Sequence, residues 1–433
     1  MSHPGPSARL GIEQTILDNG LTVLTIERPA VPVASVWAWY RVGSRNERPG
    51  ITGASHWVEH MLFKGGKEFG KGQIFKQVAK HGGTNNGFTS HDFTAYFETL
   101  PSEAMDLGLR IEADRMANAL FDPAEFESER TVIISEREGA ENRPSYLLDE
   151  EISATAFREH PYRWSIVGWK DDLRKMTRDD LYGYYKTYYA PNNAFLVVAG
   201  QFDRPLLLDR VRQLYGPIPR ADAPPHVAVR ERPQRTERRV TLRQAGGAAV
   251  VRVAYHVPEV SHDDVYPLSV ASTILSGAQG LGMGGNVGGR TARLHVALVR
   301  SELASAAWAG SRATIDPHLF NAGATVREGV EPERVEAALI AELERLATDP
   351  PTDQELAKAR TQFRAAFAYA WDSVTGIGAV VGSTEAVDSH KRLETLLERF
   401  EAVTAADVQR VAATYFAETN RTVGHFVPTN GAQ

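Results

Sequence analysis

Cysteine is absent from all 433 residues of the chain. This absence excludes disulfide bonds, thiolate metal ligands and cysteine nucleophiles. Any metal ion must therefore be held by histidine, aspartate or glutamate side chains.

The sequence also lacks an excess of positive charge. It has 48 lysines and arginines against 54 aspartates and glutamates, which gives a net charge of −6. This balance argues against a nucleic-acid partner, because no basic excess is available to neutralise phosphates. The composition, with 42% hydrophobic and 24% charged residues, is that of a soluble globular protein. The length favours two domains, with three or four as the alternative.

A third absence is that of long apolar runs. No uncharged segment is long enough to cross a bilayer, and the first residues contain no apolar core of signal-peptide length. We therefore expect no membrane span and a cytoplasmic location. The alternative is a periplasmic protein whose signal peptide has been removed, because its mature sequence would look the same.

The order of predicted elements repeats along the chain. In the first half, β-branched and aromatic residues predict strands at 20–28, 31–43, 84–100 and 192–202, with helices between them. Residues 215–238, rich in proline and arginine, follow neither a helical nor a strand period and are interpreted as a linker. We predict domains at 1–220 and 238–433, joined by a linker at 221–237. The second half again runs from strand through helices to strand, which suggests a duplication.

The most informative motif lies in "TGASHWVEHMLFKG". On a helix, His56 and His60 point the same way and Glu59 lies beside them. Two neutral imidazoles can bind zinc, but a catalytic zinc site needs a third protein ligand and an open position. Glu59 cannot easily be both that third ligand and the base that takes a proton from water. A second acidic residue must come from elsewhere.

The helix "PAEFESERTVIISEREGAE" offers two candidates. Glu129 and Glu136 are seven residues apart and therefore lie on the same side of it. Each motif alone has a simpler interpretation, because a helical histidine is more often a core or surface residue and an acidic helix is more often a solvated face. Their joint spacing favours a metal site.

Together these motifs resemble the inverzincin peptidases, the family of pitrilysin, insulin-degrading enzyme and mitochondrial processing peptidase. The family signature is His-x-x-Glu-His, followed about 75 residues later by a glutamate that completes the zinc shell, with another glutamate seven residues before it. Here "HWVEH" occupies 56–60, and Glu136 follows His60 by 76 residues. The segments "GGTNNGFTSHDFTAYFETLP", "HPYRWSIVGW" and "YYAPNNAFLVVAGQFD" are also similar to family segments.

The resemblance implies an α+β fold with two pseudo-symmetric domains. Each would be a mixed, largely antiparallel sheet with helices packed on one face, and only residues 1–220 would hold a metal. The implied activity is that of a zinc-dependent endopeptidase with one zinc ion per chain. Its substrates would be short or unfolded peptides that can lie extended along a sheet edge.

The family's functional residues carry over to seven positions here. The implied roles are zinc ligand for His56, His60 and Glu136, general base for Glu59, orientation of a ligand for Glu129, and substrate binding for Asn86 and Thr89. The alternative for Asn86 is a turn residue, since "NNG" is a turn signal in any protein.

The second half departs from the family pattern. Family members that work as one chain, or as identical pairs, carry an arginine and a tyrosine that bind the substrate and stabilise the oxyanion. The aligned stretch "RLHVALVRSELASAAWAG" has Glu302 and Ala306 at those positions, and neither can donate a hydrogen bond to an oxyanion. Arg300 or Trp308 could be partial substitutes.

This departure predicts a heterodimer. The chain would be the zinc-bearing subunit, and a homologous partner without His-x-x-Glu-His would supply the arginine and tyrosine. A homodimer is the alternative.

The glycine-rich run at 276–290 is no phosphate loop, because no Gly-Lys-Ser/Thr follows it. It loosely resembles the glycine loop of the non-catalytic processing-peptidase subunit, and a surface connection is the simpler interpretation.

A function from another class is also open. Core subunits of respiratory complexes resemble this family but have degenerate metal motifs, so the chain could be an assembly or scaffold protein. The complete set of His56, Glu59, His60 and Glu136 favours the enzyme.

Overall fold

A computed structural model describes residues 10–282 and 289–429. Its strands are β1 (Ile12–Ile16), β2 (Thr22–Glu27), β3 (Val33–Tyr40), β4 (Thr84–Thr89), β5 (Thr94–Pro101), β6 (Ala194–Gly200), β7 (Arg238–Ala245), β8 (Val250–Val257), β9 (Ala304–Ser311), β10 (His318–Val326) and β11 (Arg421–Thr429). Its helices are α1 (Ala54–Met61), α2 (Gln73–Lys80), α3 (Met105–Asn118), α4 (Pro123–Glu141), α5 (Pro144–Ala156), α6 (Lys170–Lys175), α7 (Arg178–Tyr188), α8 (Arg204–Tyr215), α9 (Val265–Ser276), α10 (Pro332–Thr348), α11 (Asp353–Ala370), α12 (Val374–Val387), α13 (Leu393–Ala402) and α14 (Ala405–Tyr415).

The strands form two mixed sheets. The first has the order β1-β2-β6-β3-β5-β4, and the second has the order β7-β11-β8-β10-β9. Pairing is antiparallel except between β2 and β6 and between β7 and β11, which are parallel. The predicted α+β fold with mixed, largely antiparallel sheets is confirmed.

The two sheets repeat one topology. β2, β6, β3, β5 and β4 correspond in order and direction to β7, β11, β8, β10 and β9, while β1 is an addition to the first sheet. The repeat extends to single side chains. Asn193 Nδ2 donates to the Tyr188 and Arg41 carbonyls, and Asn420 Nδ2 donates to the Tyr415 and His256 carbonyls in the same way. These matching bonds support the duplication inferred from the sequence.

The compact units are not continuous in sequence. Within the described residues, one comprises 10–137, 165–228 and 371–394, and the other comprises 138–164, 229–282, 289–370 and 395–429. They therefore differ from the continuous ranges 1–220 and 238–433, because α5 belongs to the unit of the later strands and α12 to that of the earlier ones. Residues 221–237 contain neither helix nor strand.

Most helices of each unit pack on one face of its sheet, and a further helix packs on the opposite face. In β3, Val36, Ala38 and Tyr40 point into the main helical layer, and the alternate residues Trp37 and Trp39 point to the opposite face. There α12 packs so closely on the two indoles that glycine is needed at 378 and 382. In the other unit, Leu148 and Ile152 of α5 contact Gly424 of β11. Most of the described helices therefore pack on one face of their sheet, as expected, but α5 and α12 pack on the opposite faces.

The region 84–100, predicted as one strand, is a hairpin. Ser90 reverses the chain: its hydroxyl accepts hydrogen bonds from the backbone N–H groups of Asp92 and Phe93. The hairpin makes β4 an edge strand of the first sheet.

Within residues 10–282 and 289–429, no helix combines the length and apolar character needed to span a bilayer. The cytoplasmic location stays a prediction.

Replacing Gly382 by alanine tests the packing of α12. The new Cβ would lie 2.0 Å from Cε2 of Trp39, and that indole is itself held by Phe88, Phe93 and Phe195. Overpacking of this kind costs about 1–3 kcal/mol, so Gly382→Ala should lower the midpoint of urea unfolding. The control is Gly183→Ala on the exposed side of α7, where a Cβ meets nothing within 4 Å. It should stabilise by up to about 1 kcal/mol. Equal stability of the two variants would contradict this packing.

Candidate metal centre

The helix that carries the motif begins at a glycine that no other residue could replace without strain. Gly53 has a φ of 89°, and a Cβ there would lie 2.2 Å from the carbonyl oxygen of Val167. The buried Glu47 carboxylate accepts hydrogen bonds from the backbone N–H groups of Gly53 and Ser55, at 2.7 and 2.8 Å. Burial raises the pKa of Glu47 to about 8, although both bonds favour the charged form. These contacts fix where α1 starts and hence which face its histidines occupy.

The structure brings His56, His60 and Glu136 together. Nε2 of His56 lies 3.2 Å from Nε2 of His60. Oε2 of Glu136, on α4, lies 3.5 Å from the His60 nitrogen and 3.8 Å from the His56 nitrogen. Two helices far apart in sequence thus meet with three donor atoms within 4.8 Å of one another.

This donor set fits zinc. A tetrahedral zinc ion with bonds of about 2.0–2.1 Å places its ligand atoms roughly 3.3 Å apart, close to the three separations observed. The set consists of two imidazoles and one carboxylate, which is a known ligand combination for catalytic zinc. The imidazoles are largely buried, whereas the Glu136 side chain is 47% exposed. Solvent or a substrate can therefore approach the cluster from the side of Glu136.

The protonation of the two histidines differs. Burial lowers the pKa of His56 to about 3, and the neighbouring His60 acts in the same direction, so His56 is neutral at pH 7. Burial also lowers the pKa of His60, but its hydrogen bond to Glu129 and the charges of Glu136 and Glu59 together raise that pKa above its usual value. A metal ion at Nε2 of His60 would compete with the proton held there.

Glu129 orients His60. Its Oε1 lies 2.8 Å from Nδ1 of His60, which assigns the ring proton to Nδ1 and leaves Nε2 facing His56 and Glu136. Lys64 forms an ion pair with the other oxygen of Glu129. Burial raises the pKa of Glu129, but the bonds to His60 and Lys64 outweigh burial and lower that pKa overall. Lys64 was missed from the sequence, because it lies three residues beyond the end of α1 and helical spacing therefore gave no signal for it.

One carboxylate oxygen of Glu59 is hydrogen-bonded to strand β4. Its buried carboxylate accepts a hydrogen bond of 2.6 Å from the hydroxyl of Thr89. Burial raises the pKa of Glu59 despite this bond, which makes it a stronger base than an exposed glutamate. Thr89, predicted from the sequence to bind substrate, thus lies against the predicted base.

Asn86 lies in the middle of the edge strand β4. Its side chain is exposed, and its Oδ1 accepts a hydrogen bond of 2.9 Å from the N–H of Gly87. The Asn-Gly pair is therefore part of a strand and not of a turn, against the alternative that the sequence left open. Its role towards substrate stays a prediction.

A buried arginine supports the end of α1. Nε of Arg115 donates to the carbonyl of Leu62 at 3.2 Å, and its guanidinium lies over the rings of Phe63 and Tyr96. The buried carboxylate of Glu112 balances its charge. Nothing in the spacing of "EADRM" distinguished this arginine from an ordinary charged helix residue.

In the other unit, the two positions that depart from the family pattern are exposed. Glu302 has a φ of 63° and forms an ion pair of 3.3 Å with Arg327, and Ala306 lies on the edge strand β9. Trp308 stacks on the guanidinium of Arg252, whose Cζ is 4.2 Å from the ring centre. Residues 283–288 of the glycine-rich run lie outside the described residues.

Comparison with known families matches two models along the chain. The model of the insulinase family (peptidase family M16) matches residues 22–169, and the model of the peptidase M16 inactive domain matches residues 175–363. Together they cover most of the chain.

Similar proteins include the zinc protease PqqE of Helicobacter pylori, 28% identical over 422 residues, which are 96% of this chain and 93% of that protein. The mitochondrial-processing peptidase subunit beta of Blastocladiella emersonii is 27% identical and is covered over 88% of its length, with 95% of this chain aligned.

Among solved structures, a protease from Helicobacter pylori superimposes with a TM-score of 0.90 at 28% identity, over 96% of this chain and 99% of that one. A subunit in complex III2 from Candida albicans has a TM-score of 0.79 at 16% identity, over 96% of both chains. The latter similarity shows the fold alone.

Replacing Glu129 by glutamine tests how the cluster is held. Glutamine removes the charge that orients His60 and pairs with Lys64, so zinc affinity should fall by about 10- to 100-fold. The measurement is a competition titration against a zinc chelator. The matched control is Glu127→Gln on the same helix, whose carboxylate pairs with Arg130 in solvent. Equal zinc affinity of the two variants would refute the orienting role of Glu129.

Proposed function

We propose that this chain, which belongs to peptidase family M16, the insulinase and pitrilysin family, is a zinc-dependent endopeptidase that cleaves short or unfolded peptides. The observation that carries the proposal is the meeting of two imidazole nitrogens and one carboxylate oxygen within 4.8 Å. The buried Glu59 lies on α1, between His56 and His60 in sequence. The similarity to proteins named zinc proteases supports the same conclusion.

The chain's own residues account for the proton transfer. Glu59, made more basic by burial, would take a proton from a water molecule and then donate it to the leaving amine. His56, His60 and Glu136 would hold the zinc ion, with Glu129 fixing the ring of His60. When bound, zinc supplies a Lewis acid that polarises the peptide carbonyl.

The edge strand β4 would bind the substrate. Its outer backbone groups have no neighbouring strand in the described sheet, so an extended peptide can add to it by main-chain hydrogen bonds. The exposed Asn86 would contact the peptide backbone. Because this mode requires an extended ligand, folded proteins should be poor substrates.

We further propose that the active form is a heterodimer. Glu302 and Ala306 cannot donate to an oxyanion, and loss of one such donor costs about 2.7–4 kcal/mol of transition-state stabilisation. A homologous subunit with the arginine and tyrosine would supply both groups. The relative named as a subunit of the mitochondrial-processing peptidase is consistent with such a division of labour. A homodimer that uses Arg300 or another donor is the alternative.

The non-catalytic scaffold is the second candidate, and zinc content separates the two. We expect about one zinc ion per chain in the purified wild type, measured by mass spectrometry after dialysis, and its loss in His56→Ala, because a two-ligand site binds zinc weakly. Glu127→Gln should keep its zinc. A folded wild-type chain without zinc would favour the scaffold.

The role of Glu59 is tested by Glu59→Gln. The amide cannot accept the proton, so kcat for a peptide should fall by about 10²- to 10⁴-fold while the zinc content stays that of the wild type. The assay uses a quenched fluorescent peptide with and without chelator. Full activity of a zinc-loaded Glu59→Gln protein would refute the assigned base.

The partner is tested by co-expression with a homologue that lacks His-x-x-Glu-His and carries the arginine and tyrosine. Activity should appear only when both chains are present and should disappear when the partner's arginine and tyrosine are replaced. Robust cleavage by this chain alone would refute the heterodimer and leave the peptidase assignment intact.

A further inference from the structure

The hydroxyl of Thr89 is engaged with the carboxylate of Glu59. The donor–acceptor distance of 2.6 Å is short, as is usual when a hydroxyl donates to an ionised carboxylate. Thr89 ends β4, and Glu59 lies on α1, so this bond joins the edge strand to the helix of the metal motif. A hydroxyl with this partner is poorly placed to donate to a peptide as well, because it has one hydrogen.

The backbone around Thr89 is held in place. In the register with β5, Thr89 faces Thr94, whose hydroxyl donates to the carbonyl of Val42. The next residue, Ser90, accepts a hydrogen bond from the N–H of Ser44. A side chain at Gly43 would clash with that loop, since its Cβ would lie 2.4 Å from the Ser90 oxygen. The position of the hydroxyl is therefore set by β5 and by the residues that follow β3.

We infer that Thr89 is a positioning residue for Glu59: its hydroxyl fixes Oε2 and turns Oε1 towards the water that is to be deprotonated. The inference rests on the proposed peptidase function. It assigns Thr89 a role through the base and not through contact with substrate.

The arrangement couples substrate binding to the base. A peptide that adds to the free edge of β4 would restrict the same strand whose last residue holds Glu59. Orientation of the base then improves when the peptide binds, so the contribution of Thr89 should appear in kcat and not in KM.

Two substitutions separate the hydroxyl from the shape of the side chain. Thr89→Val keeps the β-branched shape and removes the donor, and Thr89→Ser keeps the donor. The control Thr94→Val removes the hydroxyl opposite Thr89 without touching Glu59. All are measured with zinc content, kcat and KM, in the complex with its partner subunit if that is the active form.

We expect Thr89→Val to lower kcat by about 10- to 100-fold, the cost of a misplaced catalytic group, with KM and zinc content close to wild type. Thr89→Ser should restore kcat to within a few-fold of wild type, and Thr94→Val should leave kcat unchanged. A raised KM with normal kcat in Thr89→Val would overturn the inference, because it would make Thr89 a peptide contact. Full kcat of zinc-loaded Thr89→Val would also overturn it, whatever the result for Thr89→Ser, because the hydroxyl would then not matter.

A thermal measurement tests the contact without any peptidase activity. Thr89→Val should lower the melting temperature by about 2–4 °C in the zinc-free protein, because a buried carboxylate loses its donor. The same change in a Glu59→Ala background should have no further effect. Additive shifts would overturn the inference. If the wild type cleaves no peptide, the proposed function fails, and this cycle still decides whether Thr89 and Glu59 interact.

Discussion

The imidazole of His60 is the connection on which the site depends. One ring nitrogen bonds Glu129 at 2.8 Å, and the other faces His56 and Glu136. A single planar ring thus joins α1 to α4, two helices whose residues lie far apart in the chain. Because the two nitrogens point in opposite directions, fixing one also aims the other. Lys64 stabilises this arrangement by keeping Glu129 charged. Arg115 contributes by donating a hydrogen bond to the carbonyl of Leu62 at the end of α1.

The fold contains one sheet topology in two copies, and the His56, His60 and Glu136 donor set lies in the unit of the first copy. The first sheet has α1 packed against its edge strand β4, and α4 packs on α1 where Phe126 stacks on Trp57. The corresponding edge strand of the second sheet, β9, carries exposed small residues and Trp308. The corresponding central strands β3 and β8 are both buried, but among the described residues only the first unit brings together a set of three possible metal donors. Apart from the additional strand β1, the two sheets differ in their side chains and not in their topology.

Four glutamates on or near α1 and α4 differ in burial and in hydrogen-bond partners, and these differences determine what each carboxyl group can do. Glu136 is half exposed and faces both imidazoles, Glu129 is buried and paired, and Glu59 is buried and bonded to one hydroxyl. The same side chain thus serves as ligand candidate, orienting group or base candidate according to its surroundings. Glu47 is the fourth: it accepts from the backbone at the start of α1 and has no part in the cluster. The electrostatic differences follow from which donors each carboxylate meets.

The sequence alone placed His56 and His60 on one helical face, because residues four apart share a face, and its resemblance to the inverzincin peptidases gave the family and Glu136 as the third donor. It also indicated the duplication, since the order of predicted strands and helices recurs in the second half. It did not show that Thr89 meets Glu59, or that α5 and α12 each cover the second face of a sheet. Periodicity shows which face of an element is apolar but not which distant element covers it, and a hydroxyl gives no signal of the partner it will find. Those choices are made by long-range packing, and only the tertiary structure contains them.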